Sequence, residues 1–107
     1  MNKAFGYLGF AAKAGRVTSG EFLIEKAIKQ KDAKLLLVAE DASDNAKKEM
    51  TFIAEKYNVP MRLYGTKEKL GKAIGKNLRA CVLIFDEGLA EAVLHEIDGE
   101  NTGKANR

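Results

Sequence analysis

Cysteine, proline, histidine and tryptophan are nearly missing from this chain, which has one Cys, one Pro, one His and no Trp in 107 residues. A single cysteine, Cys81, allows no disulfide within the chain. Its place in the apolar run Ala80-Cys81-Val82-Leu83-Ile84-Phe85 suits a buried strand thiol better than a nucleophile. A reducing compartment, the cytoplasm, is therefore the default. His95 stands without a Cys/His/Asp cluster at ligand spacing and without a nucleophile to serve, so neither a metal, a cofactor nor a catalytic pair is expected. No apolar run approaches the ~18 residues of a membrane span. The segment from Ala4 to Ala14 ends in Ala-Lys-Ala, like a cleavage site, but Gly6, Tyr7 and Gly9 interrupt it. A helix with Phe5, Leu8 and Ala12 on one face uses the same residues better.

The length bounds the chain to one domain with one core. Its net charge of +3 is too small to specify a partner, but the distribution is uneven. Residues 1–39 carry seven Lys/Arg against three acids (+4), and residues 40–61 carry three against five (−2). Residues 62–79 carry six (Arg62, Lys67, Lys69, Lys72, Lys76 and Arg79) against Glu68 alone (+5). Residues 80–107 carry two against six (−4). Two basic segments separated by acidic ones form a basic face if folding brings them together. Otherwise they only solvate helix surfaces.

Residues 15 to 31 organise the rest. Gly15 stops a first helix over residues 2 to 14, and Arg16-Val17-Thr18 is a short extended link. Ser19 suits the N-cap of a helix starting at Gly20 or Glu21. Leu23, Ile24, Ala27 and Ile28 give that helix an apolar face, while Phe22 falls beside it. We expect Leu23 to be buried and Phe22 partly exposed. A helix start directs unpaired N–H groups and partial positive charge outward, which suits phosphate or carbonyl acceptors. The same pattern also fits an ordinary capped core helix.

Further along, Lys34 to Ala39 reads as a strand buried on both faces. A polar loop from Glu40 to Asp44 supplies the cap of a helix whose stripe is Ala46, Met50, Ile53 and Tyr57. Asn58 suits its C-terminal turn, and Pro60 forces extended backbone before a strand from Met61 to Tyr64. Thr66 caps a short helix with Leu70, Ala73 and Ile74. A loop over 75–79 leads to the strand Ala80 to Phe85, and Asp86 caps a last helix carrying Leu89, Val93, Leu94 and Ile97. Residues 1–97 read as the domain and 98–107 as a flexible polar tail. Strands alternating with helices make an α/β fold with helices on both faces of one sheet.

Two candidate motifs do not hold. Gly71-Lys72-Ala73-Ile74-Gly75-Lys76-Asn77 is one residue short of a nucleotide-phosphate loop. It also has Asn77 where a magnesium-binding hydroxyl belongs, and no strand immediately before it. Asp86 and Glu87 follow a strand, but both are ordinary first-turn residues.

Several stretches together resemble a known family. Ala14-Gly15-Arg16-Val17-Thr18-Ser19-Gly20-Glu21, Lys34 to Asp41, Asn58-Val59-Pro60 and Leu70 to Lys76 are similar to the small bacterial YlxQ-type proteins. These are relatives of the archaeal and eukaryotic ribosomal proteins that bind kink-turn RNA. The likeness covers about residues 5 to 95. It implies a small three-layer α/β/α sandwich around a single mixed sheet; with no catalytic constellation in the sequence, a non-enzymatic, monomeric binding module is expected. The partner it implies is structured RNA, either ribosomal or kink-turn-containing, and the ribosome itself. In that family the second helix opens with Gly-x-Asn-Glu and carries a Lys one turn later. Gly20 and Lys26 match the Gly and the Lys, and Phe22 and Leu23 stand at the Asn and Glu positions. The family's loop before the last strand, which meets an unstacked base, corresponds to Lys76-Asn77-Leu78-Arg79. The RNA-binding residues so implied are Arg16, Ser19, Gly20, Glu21, Phe22, Lys26, Lys76, Leu78 and Arg79. The alternative from another class is a protein–protein adaptor using the same helix start and apolar loop.

Overall fold

Apolar runs and helix stops set the order of elements. The structure, a computed structural model, describes residues 2–30 and 32–105, with side chains through residue 100. The elements are α1 (Ala4–Lys13), β1 (Val17–Ser19), α2 (Glu21–Gln30), β2 (Leu35–Val38) and α3 (Asp44–Lys56). They continue with β3 (Met61–Leu63), α4 (Lys67–Ala73), β4 (Cys81–Ile84) and α5 (Glu87–Ala105). Among the described residues no helix is long and apolar enough to cross a membrane.

The helix ends follow the side chains. Ser43 accepts from the Ala46 amide, Thr66 from the Lys69 amide and Asp86 from the Leu89 amide, at 3.1, 3.1 and 2.8 Å. At the other ends, α1 and α3 close in paired Schellman bonds. Gly15 and Arg16 donate to Ala12 and Ala11, and Asn58 and Val59 donate to Glu55 and Ala54.

The sheet has the order β1-β4-β2-β3, with β2 and β3 parallel and both other pairs antiparallel. Every residue of β2 and of β4 is buried, because helices cover both faces. α1 packs with α4 and α5 in one layer, and α2 with α3 in the other. The result is the expected α/β/α sandwich around a single mixed sheet.

Several local features of the fold differ from expectation. The link after Gly15 is a strand, β1, because Val17, Thr18 and Ser19 find Ile84, Leu83 and Val82 opposite them. Leu23 is 52% exposed, since α2 turns Ile24 and Ile28 inward and leaves Leu23 at the edge of the stripe. The last helix continues through residues 98–105 instead of fraying after Ile97. Asp98 has a fixed partner there: both its oxygens accept from Arg62, at 2.8 and 2.9 Å. Residues 106–107 of the expected tail lie outside the described residues.

Candidate functional site

The antiparallel pairing of β1 with β4 decides which distant residues become neighbours. β1 ends where β4 begins, so the start of α2 lies against the loop between α4 and β4. Gly20 extends the pairing by donating its amide to the Cys81 carbonyl at 3.2 Å. It then turns the chain at φ 88°, a conformation costly for any residue with a Cβ. Its own carbonyl accepts the first helical bond of α2, from Ile24 at 3.0 Å. The amides of Glu21, Phe22 and Leu23 precede that bond and so point out of the helix end.

Ser19 does not serve as the cap expected of it. Its hydroxyl belongs to β1 and accepts from Arg79 Nε at 3.1 Å, across sixty positions of sequence. Arg79 also donates through Nη1 to the Leu78 carbonyl, which fixes the guanidinium while leaving other N–H groups to face a partner.

The α4–β4 loop is held to α4 along its length. Gly75, at φ 74°, and Lys76 donate to Lys72 and Gly71 in a Schellman turn, and the Arg79 amide reaches the Lys67 carbonyl at 3.0 Å. The Asn77 carbonyl passes so close to Gly71 that a Cβ there would stand 1.5 Å from its oxygen. Sequence reasoning missed this role of Gly71. The signal was a glycine inside a helical pattern, which costs about 1 kcal/mol and usually has a packing reason. The sequence that resembled a phosphate loop is therefore a helix end and its turn.

On the α2 side, Phe22 is 70% exposed, as expected, and Lys26 one turn later holds its ammonium 5.4 Å from the ring centre. Leu78 is 60% exposed on the loop, beside the exposed Lys76 and Asn77. Thus Ser19 and Arg79 touch directly, Gly20 follows Ser19 in the chain, and Phe22 and Lys26 lie on the first turns of the helix that Gly20 opens. Glu21 turns to α3. Its carboxyl is pushed above the usual range by burial and by Glu49, with which it shares a hydrogen bond. Behind the surface, burial first and Glu21 second push the Cys81 thiol up to about 11, so it stays protonated.

Arg16 does not join this group. It precedes β1 at the opposite end, where its guanidinium donates to the Phe85 carbonyl at 3.1 Å and its backbone pairs with the same residue. Three strand residues, about 10 Å of chain, separate it from Gly20.

Comparison with known proteins agrees with this architecture. Over 94 residues the chain is 39% identical to the RNA-binding protein YlxQ of Bacillus subtilis (strain 168), covering 88% of this chain and 94% of the relative. It is 34% identical over 97 residues to the RNA-binding protein YlxQ of Enterococcus faecium, covering 91% and 93%. Among solved structures, a protein of unknown function from Bacillus halodurans C superposes with a TM-score of 0.86 at 30% identity, covering 92% of this chain and 99% of that one. The Giardia lamblia 15.5kD RNA binding protein shares the fold, with a TM-score of 0.73 at 20% identity over 89% and 82%. The model of the ribosomal protein L7Ae/L30e/S12e/Gadd45 family matches residues 2–94, and the chain belongs to that family.

Proposed function

We propose that this chain is an RNA-binding protein of ribosomal-protein type that recognises kinked or internally bulged RNA, of kink-turn kind. The contact surface joins the start of α2 (Ser19, Gly20, the backbone amide of Glu21, Phe22, Lys26) to the α4–β4 loop (Lys76, Leu78, Arg79). The observation that carries the reading is the Arg79–Ser19 hydrogen bond, which ties the loop to the open helix start. The names of the Bacillus and Enterococcus relatives support RNA as the partner. The ribosomal-protein family supports association with ribosomal RNA; a cytoplasmic protein acting as a monomer completes the reading.

The chemistry suits a bend better than a regular helix. A-form RNA keeps its base edges in a deep, narrow groove, so proteins read it where bases unstack. Phe22 and Leu78 offer apolar surface to such bases, while Lys26, Lys76 and Arg79 offset the repulsion of phosphates crowded by the bend. Binding the bent form better than the extended one shifts the RNA population toward it.

The test is the salt dependence of affinity for a bulged RNA. Lys26→Ala and Arg79→Ala should each lower the slope of log affinity against log salt by ~0.7–0.9, one lost phosphate contact apiece. Slopes equal to wild type in both variants would remove these residues from the phosphate contacts and, with them, the surface proposed.

A further inference from the structure

We propose that the exposed ridge of α4 is a second phosphate-binding track, one that holds the backbone of a regular RNA stem beside the bend. This rests on the RNA-binding reading above and extends its footprint to residues outside the surface described there.

The ridge is set apart by its charge. Lys69 and Lys72 are exposed and three residues apart, hence on one helix face with Cβ atoms about 5–6 Å apart. Lys76 closes the Schellman turn at the end of the helix, and Glu68 is the one acid within the segment 62–79. On α3, by contrast, Lys47, Lys48 and Lys56 alternate with Glu49 and Glu55. Among the described residues, the cations in salt bridges are Lys34 and Arg62, so Lys69, Lys72 and Lys76 keep their charge uncompensated.

Shape points the same way. A hollow of about 370 Å³ lies on the loop side of α4, lined by Glu68, Lys72, Lys76, Asn77 and Leu78. A second, of about 360 Å³, lies toward α1, lined by Phe5, Gly6, Lys69, Lys72 and Ala73. Lys72 borders both, which sets the two hollows side by side along a path from Leu78 over α4 to α1. Gly6 leaves its far end open, since a Cβ there would meet nothing within 4 Å. The path has few donors arranged for base edges and several mobile ammonium groups, which matches a regular stem's phosphates rather than its sequence. It begins at Lys76 and Leu78, where the bend is placed, so a stem leaving the bend meets it next.

The experiment uses the full chain, the double variant Lys69→Gln/Lys72→Gln, and two RNAs with one internal bulge. One RNA has minimal flanking helices and the other has a helix extended by a further turn. Both lysines are exposed and unpaired, so the unfolding midpoint should stay at the wild-type value. With the extended RNA the variant should lose affinity on the order of tenfold near 0.1 M salt, and its salt slope should fall by about 1.4–1.8 for two contacts. With the minimal RNA it should match wild type. Equal binding of both RNAs by variant and wild type, with wild type still preferring bulged RNA to duplex, would overturn the track and leave the bend site standing. An equal loss on both RNAs would also overturn it, by assigning the lysines to the bend. If wild type shows no preference for bulged RNA, the site and the track fall together.

Discussion

Replacing Gly71 with alanine sets two effects of opposite sign against each other. Alanine inside a helix is favoured over glycine by about 0.8–1.0 kcal/mol, so on an open helix the change would stabilise. Here the new Cβ would stand 1.5 Å from the Asn77 carbonyl oxygen and 2.6 Å from its carbon. Both are backbone atoms, and no side-chain rotation relieves the overlap. The α4–β4 loop has to lift, which weakens the Lys76-to-Gly71 and Arg79-to-Lys67 bonds, worth about 0.5–1.5 kcal/mol each. Overpacking of a close contact adds about 1–3 kcal/mol. Set against the propensity gain, Gly71→Ala should cost about 1–5 kcal/mol in urea unfolding. Arg79 moves with the loop and leaves Ser19, so affinity for bulged RNA per folded molecule should fall as well. A Gly71→Ala protein at least as stable as wild type, with unchanged affinity, would refute the idea that this close approach shapes the surface.

Exposure sets the next expectations. Ile24→Ala should cost about 2–5 kcal/mol because the side chain is fully buried, whereas Leu23→Ala should stay within about 1 kcal/mol; denaturant midpoints check both. Phe22→Ala should weaken bulged-RNA binding by about ten- to a hundredfold if its ring stacks on a base, worth about 1–3 kcal/mol, with the unfolding midpoint nearly unmoved. The titrations differ in sign. Arg62 holds the Asp98 carboxyl below its ordinary 3.8, so that pair stabilises above the unfolded value and is lost as pH falls through the folded one. Since the pair is partly exposed, Arg62→Ala should cost about 0.5–1 kcal/mol at neutral pH. Glu21 is raised above 4.5 by burial and Glu49. Its contribution is present below that value and lost as pH rises through the folded one, and Glu21→Gln should flatten this arm of the stability profile.

Much of the fold was legible because local rules and tertiary structure agree. Leu35–Val38 and Cys81–Ile84 are apolar throughout and are the two central strands, buried on both faces. Ser43, Thr66 and Asp86 cap as their positions suggest. What escaped was decided far away in sequence. Three residues with no alternation do not announce a strand, and β1 exists because β4 lies beside it. Ser19 looked like a cap because nothing local shows that Arg79 takes its hydroxyl. The apolar stripe of α2 was one residue too wide, and only packing on α3 and the sheet chose Ile24 over Leu23. Residues after Ile97 are polar, yet Arg62 gives Asp98 a partner on the edge strand. Of the site, the charge segmentation pointed to two basic halves; the β1–β4 pairing shows how one pair of their residues meets. The family likeness suggested the surface but included Arg16, which geometry puts at the other end of β1.

A preference of the protein for bent RNA can be measured directly. Energy transfer between dyes on the two ends of an internally bulged RNA reports its end-to-end distance, with a fully paired duplex as reference. Adding this protein should shorten the bulged RNA, saturably and less readily as salt rises, while the duplex keeps its length. Phe22→Ala and Arg79→Ala should each shift the titration to higher protein concentration. Tight binding that leaves the bulged RNA extended, or equal binding to bulged and paired RNA, would contradict the account.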